Sequence, residues 1–181
     1  FFFLQAEYGI RYLGRSRGLG DVYKRQVHIP VILSQAGLFD VVYNSFIIGD
    51  DADVVIVAGC GIHCGTSEPE GHAGIHEFKV GKRAKVTYVE KHYASGEGTG
   101  KRTLNPTTKV FLDEGAQAEM ELTQIGGVDD TTRVNEAELE AGSLLLITER
   151  VMTDGEQSAV STNNIVPVSY THLTLPTIYS V

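Results

Sequence analysis

Apolar and polar residues alternate along most of the middle of this chain, and one short turn pattern interrupts the alternation at regular intervals. Phe78 and Val80 fall on one side with Glu77 and Lys79 on the other, and after a turn Val86 and Tyr88 alternate with Lys85 and Thr87. Ala118, Met120 and Leu122 separate in the same way from Glu119, Glu121 and Thr123. Successive side chains of a strand point to opposite faces, so a period of two predicts strands with one buried and one wet face. The interrupting pattern is an apolar residue, a small turn and an Ala or Ser, and it occurs at residues 48–54, 80–86, 112–118 and 139–145. From small residue to small residue the steps are 32 (Ala52 to Ala84), 32 (Ala84 to Ala116) and 27 (Ala116 to Ser143). A fixed period in this range marks a repeat architecture, in which no unit buries its apolar face alone and stacked neighbours build the core. The expectation is an all-β solenoid of stacked coils.

Two stretches compete with that reading. Residues 116–122 suit a helix by propensity, and 135–149, rich in Glu, Ala and Leu, suit one better still. The repeat register decides for strands in both. Val54-Val55-Ile56-Val57 is a continuous apolar run of the kind found in strands covered on both sides. Gly49, Gly81, Gly115 and Gly142 fall at the turns, where positive φ costs glycine little. Loops are expected at 63–71, 94–106 and 126–132.

The chain has 181 residues, 42% of them apolar, with a mean hydropathy of -0.05, which allows one domain with a substantial core. Apolar runs all fall short of the roughly 20 residues needed to cross a bilayer, and the leading Phe-Phe-Phe-Leu is too short for the apolar part of a signal peptide. A cytoplasmic protein with no membrane association is expected. The net charge of -8 speaks against a nucleic-acid surface, which needs clustered Lys and Arg at phosphates. Residues 1–26 and 169–181 do not share the central pattern. The strings Gly-Leu-Gly-Asp-Val-Tyr-Lys-Arg-Gln, ending at Gln26, and Ser-Tyr-Thr-His-Leu-Thr-Leu-Pro-Thr, starting at Ser169, resemble translated adapter sequence, so both flanks are expected to be non-native. Residues 27–168 then carry 10 basic against 21 acidic side chains.

Candidate chemistry concentrates in residues 59–77, where Cys60, Cys64, His63, His72 and His76 lie close in sequence among glycines. Thiolate and imidazole are the donors that iron, zinc and monovalent copper prefer. Cys-x-x-x-Cys is not the spacing of a zinc knuckle, and a second pair that would complete a four-thiolate site is missing. Cys60 as a small buried residue at a strand end, with solvated histidines, is the plain alternative, and a disulfide is a third. On a helix His72 and His76 would make a ligand pair, whereas on a strand they share a face but stand roughly 13 Å apart along the backbone, too far for one mononuclear site unless the strand starts after His72. Residues 95–102 lack the helix that a phosphate loop requires, and the acidic side chains are expected along outer faces as solvating charge. A nucleophile elbow is likewise missing, so an enzyme is not indicated.

The residues Gly59-Cys60, His72-Ala73, Glu77, Val80-Gly81-Lys82 and Ala84-Lys85-Val86 resemble the core domain of the SufB/SufD family, scaffold components of iron-sulfur cluster assembly. Residues 118–124 and Ser161-Thr162-Asn163-Asn164 extend the resemblance over 27–168. It implies a right-handed parallel β-helix, here truncated, and a complex with a SufC-type ABC ATPase and a second SufB/SufD-type subunit. It also implies transient holding of nascent iron-sulfur clusters by Cys and His, without catalytic turnover. Cys60 is the position it carries over as cluster or sulfur-relay residue. Cys64 and His72 stand beside it as candidate cluster contacts, and Cys64, His63 and His76 complete the candidate metal set with Cys60. Glu90-Lys91-His92-Tyr93 departs from the family's string at that place. The family's ATPase-docking segment would fall beyond 168, so weak ATPase binding is expected. Two rivals remain: a cupin-type metal-binding barrel using His72, His76, Glu77 and His92, and a purely structural β-solenoid.

Overall fold

The computed structural model describes residues 4–6, 25–33, 36–152 and 158–168. Its elements are β1 (Leu4–Ala6), β2 (Arg25–Leu33), β3 (Phe39–Ile48), β4 (Asp53–His63), β5 (Glu70–Val80) and β6 (Lys85–Ser95). They continue with β7 (Arg102–Leu104), β8 (Thr107–Leu112), β9 (Gln117–Ile125), β10 (Asp130–Leu139), β11 (Leu144–Val151) and β12 (Ser158–Pro167). Strands alternate between two sheets. One runs β1-β3-β5-β7-β10-β12 with β8 also between β5 and β10, and the other runs β11-β9-β6-β4-β2. Every pairing is parallel except that of β1 with β3. The chain is therefore a parallel β-solenoid of about four turns, each turn placing one strand in each sheet. A closed cupin-type barrel is ruled out by this topology. Both tempting helical stretches are strands, at β9 and across β10 and β11. Among the described residues no helix is long and apolar enough to cross a membrane.

The period is visible as backbone chemistry. Ala52, Ala84, Ala116 and Ser143 each donate their N–H to the carbonyl three residues earlier, closing the same turn four times. The expectation about glycine there needs correction. The left-handed residue is the one before the small residue: Asp51 (φ 59), Arg83 (φ 57), Gly115 (φ 69) and Gly142 (φ 68), so in two coils a side-chain-bearing residue takes that conformation. Arg83 grips Asp51 through two hydrogen bonds of 2.7 and 2.8 Å, an exposed pair that links the two turns. Gly81 answers to space instead, because a Cβ there would press on Asp50 of the coil before.

Inward side chains pack in two apolar clusters. The larger holds Phe46, Ile56, Phe78, Tyr88, Met120 and Leu122 with their neighbours, and Phe78 stacks on Phe46 with ring centroids 4.7 Å apart. The smaller comprises Leu33, Ile62, Leu104 and Val128 at the opposite end of the strands. In the apolar run of β4, Val54 and Ile56 are buried while Val55 and Val57 are half-buried, so even that strand keeps one side partly wet. The expected 94–106 loop contains the short strand β7. Of the flanks expected to be non-native, residues 4–6 pair with β3 and Arg25-Gln26 begin β2, while 169–181 lie outside the described residues.

Candidate functional site

Between the two apolar clusters the interior of the solenoid is polar. Parallel stacking puts the same strand position of successive coils in register, so an inward polar residue in one coil faces its counterpart in the next. One such column runs Asn44, His76, Thr108, Asn135 and Asn163 through the first sheet. Asn135 donates to Asn163 Oδ1 at 2.9 Å and to Glu149 Oε1 at 2.7 Å, and the Asn44 amide lies 3.2 Å from His76 Nδ1. Across the interior, the second sheet stacks Cys60 on His92 and His92 on Gln124.

Glu90 sits at the centre of this band with no measurable exposure, which overturns the expectation that acidic residues only solvate outer faces. Its carboxylate accepts from Tyr88 Oη at 2.8 Å and Arg133 Nη2 at 2.9 Å, and His92 Nδ1 lies 3.2 Å away. Burial works against its charged form, but the His92 imidazole, the Arg133 guanidinium and the Tyr88 hydroxyl outweigh burial and hold it well below the usual carboxylate range. Arg133 is the permanent positive charge among them and also reaches Glu149 Oε1 at 3.7 Å. Burial pushes His92 down to about 4, so it is neutral at neutral pH.

The predicted residues fall in different places. Cys60 is inside the column, 5% exposed, and its thiol is pushed up to about 12 by burial and by the negative charges of Glu90 and Asp40. It rests as a protonated thiol. Cys64 is also buried and free, and its thiol donates to the Thr66 carbonyl (3.4 Å) and the Gly100 carbonyl (3.8 Å), tying the 64–69 loop to the loop stacked on it. His63 faces solvent beside Ser95 Oγ at 3.2 Å. His72 and His76 both point inward from β5, with His72 Nδ1 3.3 Å from Asp40 Oδ2. Glu77 turns outward, bonded to Tyr43 and Ser45, so the four residues of the cupin alternative do not converge.

The backbone argument about the two histidines also needs correction. Their Nε2 atoms lie 3.3 Å (His72) and 2.9 Å (His76) from the one position that a Cβ on Gly74 would occupy, so the rings lean together over the glycine between them. Among the described residues no three His, Cys, Asp or Glu side chains are grouped to hold a metal ion. Sequence reasoning missed Glu90, Arg133 and the asparagine column. The column left a signal, as polar residues at inward positions recurring with the coil period, whereas Glu90 left none, its register partners being Ala58 and Leu122.

The chain is 27% identical over 96 residues to an iron-sulfur cluster assembly SufBD family protein of Methanocaldococcus jannaschii. The match covers 53% of this chain and 29% of that protein's length. No family model matches the chain, and no solved structure matches it.

Proposed function

We propose that residues 27–168 are a segment of a non-catalytic scaffold in iron-sulfur cluster assembly, with Cys60 holding or passing on sulfur for a nascent cluster. The reading rests on the likeness to the SufBD family protein together with one observation, a free thiol at the Gly-Cys position lining the polar interior of a parallel solenoid. Four-ligand capture of a cluster by this chain alone does not fit, since no group of three donors exists among the described residues. The cluster is cargo, completed by donors from a second SufB/SufD-type subunit, with a SufC-type ABC ATPase supplying the conformational work. His72, beside Asp40, is the next candidate contact, while Cys64, His63 and His76 take supporting parts.

A protonated thiol is a poor nucleophile, so sulfur uptake requires Cys60 to lose its proton first. The thiolate then attacks the sulfane sulfur of a donor persulfide; a new S–S bond forms at Cys60, the donor's S–S bond breaks, and the donor leaves as a thiolate. Anaerobic incubation with a low-molecular-weight persulfide, followed by mass spectrometry and then by ferrous iron and absorption spectroscopy, tests this. One added sulfur on Cys60 and a charge-transfer band lost in Cys60→Ser but kept in Cys64→Ser are expected. Equal spectra for wild type and Cys60→Ser would leave a purely structural solenoid.

A further inference from the structure

We propose that His72 and His76 form a two-coordinate site for a monovalent copper-group ion inside the solenoid, in the space that Gly74 leaves open. Both imidazoles are 3% exposed, and the Nε2 of each is buried with no hydrogen-bond partner among the described residues. A buried polar atom without a partner is costly, and two of them converging on one point is the signature of a missing bridging group. The convergence is the one over Gly74, where any side chain would fill the gap.

The partners on the far side of each ring prepare both nitrogens as ligands. Asp40 Oδ2 accepts from His72 Nδ1–H at 3.3 Å, which fixes the tautomer whose Nε2 carries a lone pair. The Asn44 amide nitrogen stands 3.2 Å from His76 Nδ1; turning that amide over by half a rotation brings its carbonyl to the ring, where it accepts from Nδ1–H and frees the second Nε2 for the ion. Burial pushes both imidazoles below their ordinary range, so both are neutral at neutral pH. Aromatic rings wall the site, with the centroids of Phe46 and Tyr88 at 6.3 and 6.0 Å from that of His76.

Ligand count selects the ion. Zinc wants four donors, and magnesium and calcium want six or more oxygens, whereas no third His, Cys, Asp or Glu joins the pair among the described residues. A filled-shell monovalent ion of the copper group is satisfied by two opposed nitrogen donors and tolerates a dry surround because it carries a single charge. His72 and His76 are shared with the contacts proposed around Cys60, but this site does not depend on the sulfur role of Cys60, and a nitrogen-only ion is told apart from a thiol-bound one by its neighbours at the copper edge.

The test is anaerobic titration of the full chain with cuprous ion against a chromogenic cuprous chelator, followed by X-ray absorption at the copper edge. One ion per chain with two nitrogen neighbours and no sulfur neighbour is expected. Asp40→Asn should weaken binding by about 10–100-fold and His76→Gln by more than that, since outer partners of a ligating histidine are worth that much. Gly74→Ala, which fills the gap and keeps both rings, should abolish the nitrogen-only signal. Sulfur neighbours at the copper edge would assign the ion to the cysteines and overturn the proposal. So would no binding, which leaves a bridging water between the rings, or unchanged affinity in Gly74→Ala. The absorption measurement on wild type stands even where a variant fails to fold.

Discussion

Arg133→Met removes the fixed positive charge between two buried carboxylates while keeping the apolar stem. Arg133 Nη2 lies 2.9 Å from Glu90 Oε1 and its Nε 3.7 Å from Glu149 Oε1, and the exposures of the three side chains are 7%, 1% and 7%. Removing one partner of a buried pair costs about 3–5 kcal/mol, because the remaining charge is left uncompensated. Glu90 keeps the Tyr88 hydroxyl and Glu149 keeps Asn135 and Ser161, so the lower end, about 3 kcal/mol, is expected. Urea unfolding followed by far-ultraviolet circular dichroism at neutral pH measures it. The pH dependence supplies an independent sign. In the variant, burial dominates at Glu90 and its folded pKa rises above the unfolded value of about 4.3. A raised carboxyl pKa means stability is full below the unfolded value and lost as pH rises through the folded one, so the deficit against wild type should shrink as pH falls from neutral toward 4. Pairing Arg133→Met with Glu90→Leu should recover part of the loss, since two apolar groups replace both charges. A cost below about 1 kcal/mol, a deficit that grows in acid, or a double variant weaker than the single would refute the reasoning.

Two further outcomes follow from the same interior and its loops. His92 has its pKa lowered from 6.5 to about 4 by burial, so its stabilisation is complete above the unfolded value and drains away between those limits as pH falls. At about 1.4 kcal/mol per pH unit this amounts to about 3 kcal/mol, and His92→Gln should flatten that part of the acid dependence of the urea midpoint; an unchanged slope would contradict it. Gly100→Ala would drive a Cβ into the backbone carbonyl of Glu68, in a pair of loops joined by the Gly98–Cys64 and Gly100–Thr66 backbone bonds, both 3.0 Å. A loss of about 1–3 kcal/mol is expected from overpacking, and a melting temperature equal to wild type would show that the loops yield without cost.

Local pattern alone determined the strands, the coil period and the four repeated turns. Alternation reads out which side of each strand is buried, and Ala52, Ala84, Ala116 and Ser143 mark the same backbone turn through a hydrogen bond that spans only a few residues. It also singled out Cys60 as a residue worth placing, though not the direction in which its thiol is pushed. Only the stacked structure decided the interior. Whether Glu90 is solvated or buried depends on Arg133, which is 43 residues away in sequence and reaches it through another coil. His72 and His76 meet over Gly74 because Asp40 and Asn44, in the preceding coil, sit beside their outer nitrogens. Asp51 takes a left-handed turn that glycine was expected to fill, with its N–H bonded to the Lys82 carbonyl of the next coil and its carboxylate paired with Arg83. A polar residue at an inward position is tolerated only when its neighbours in the stack supply partners, and those neighbours are fixed by register rather than by adjacency along the chain.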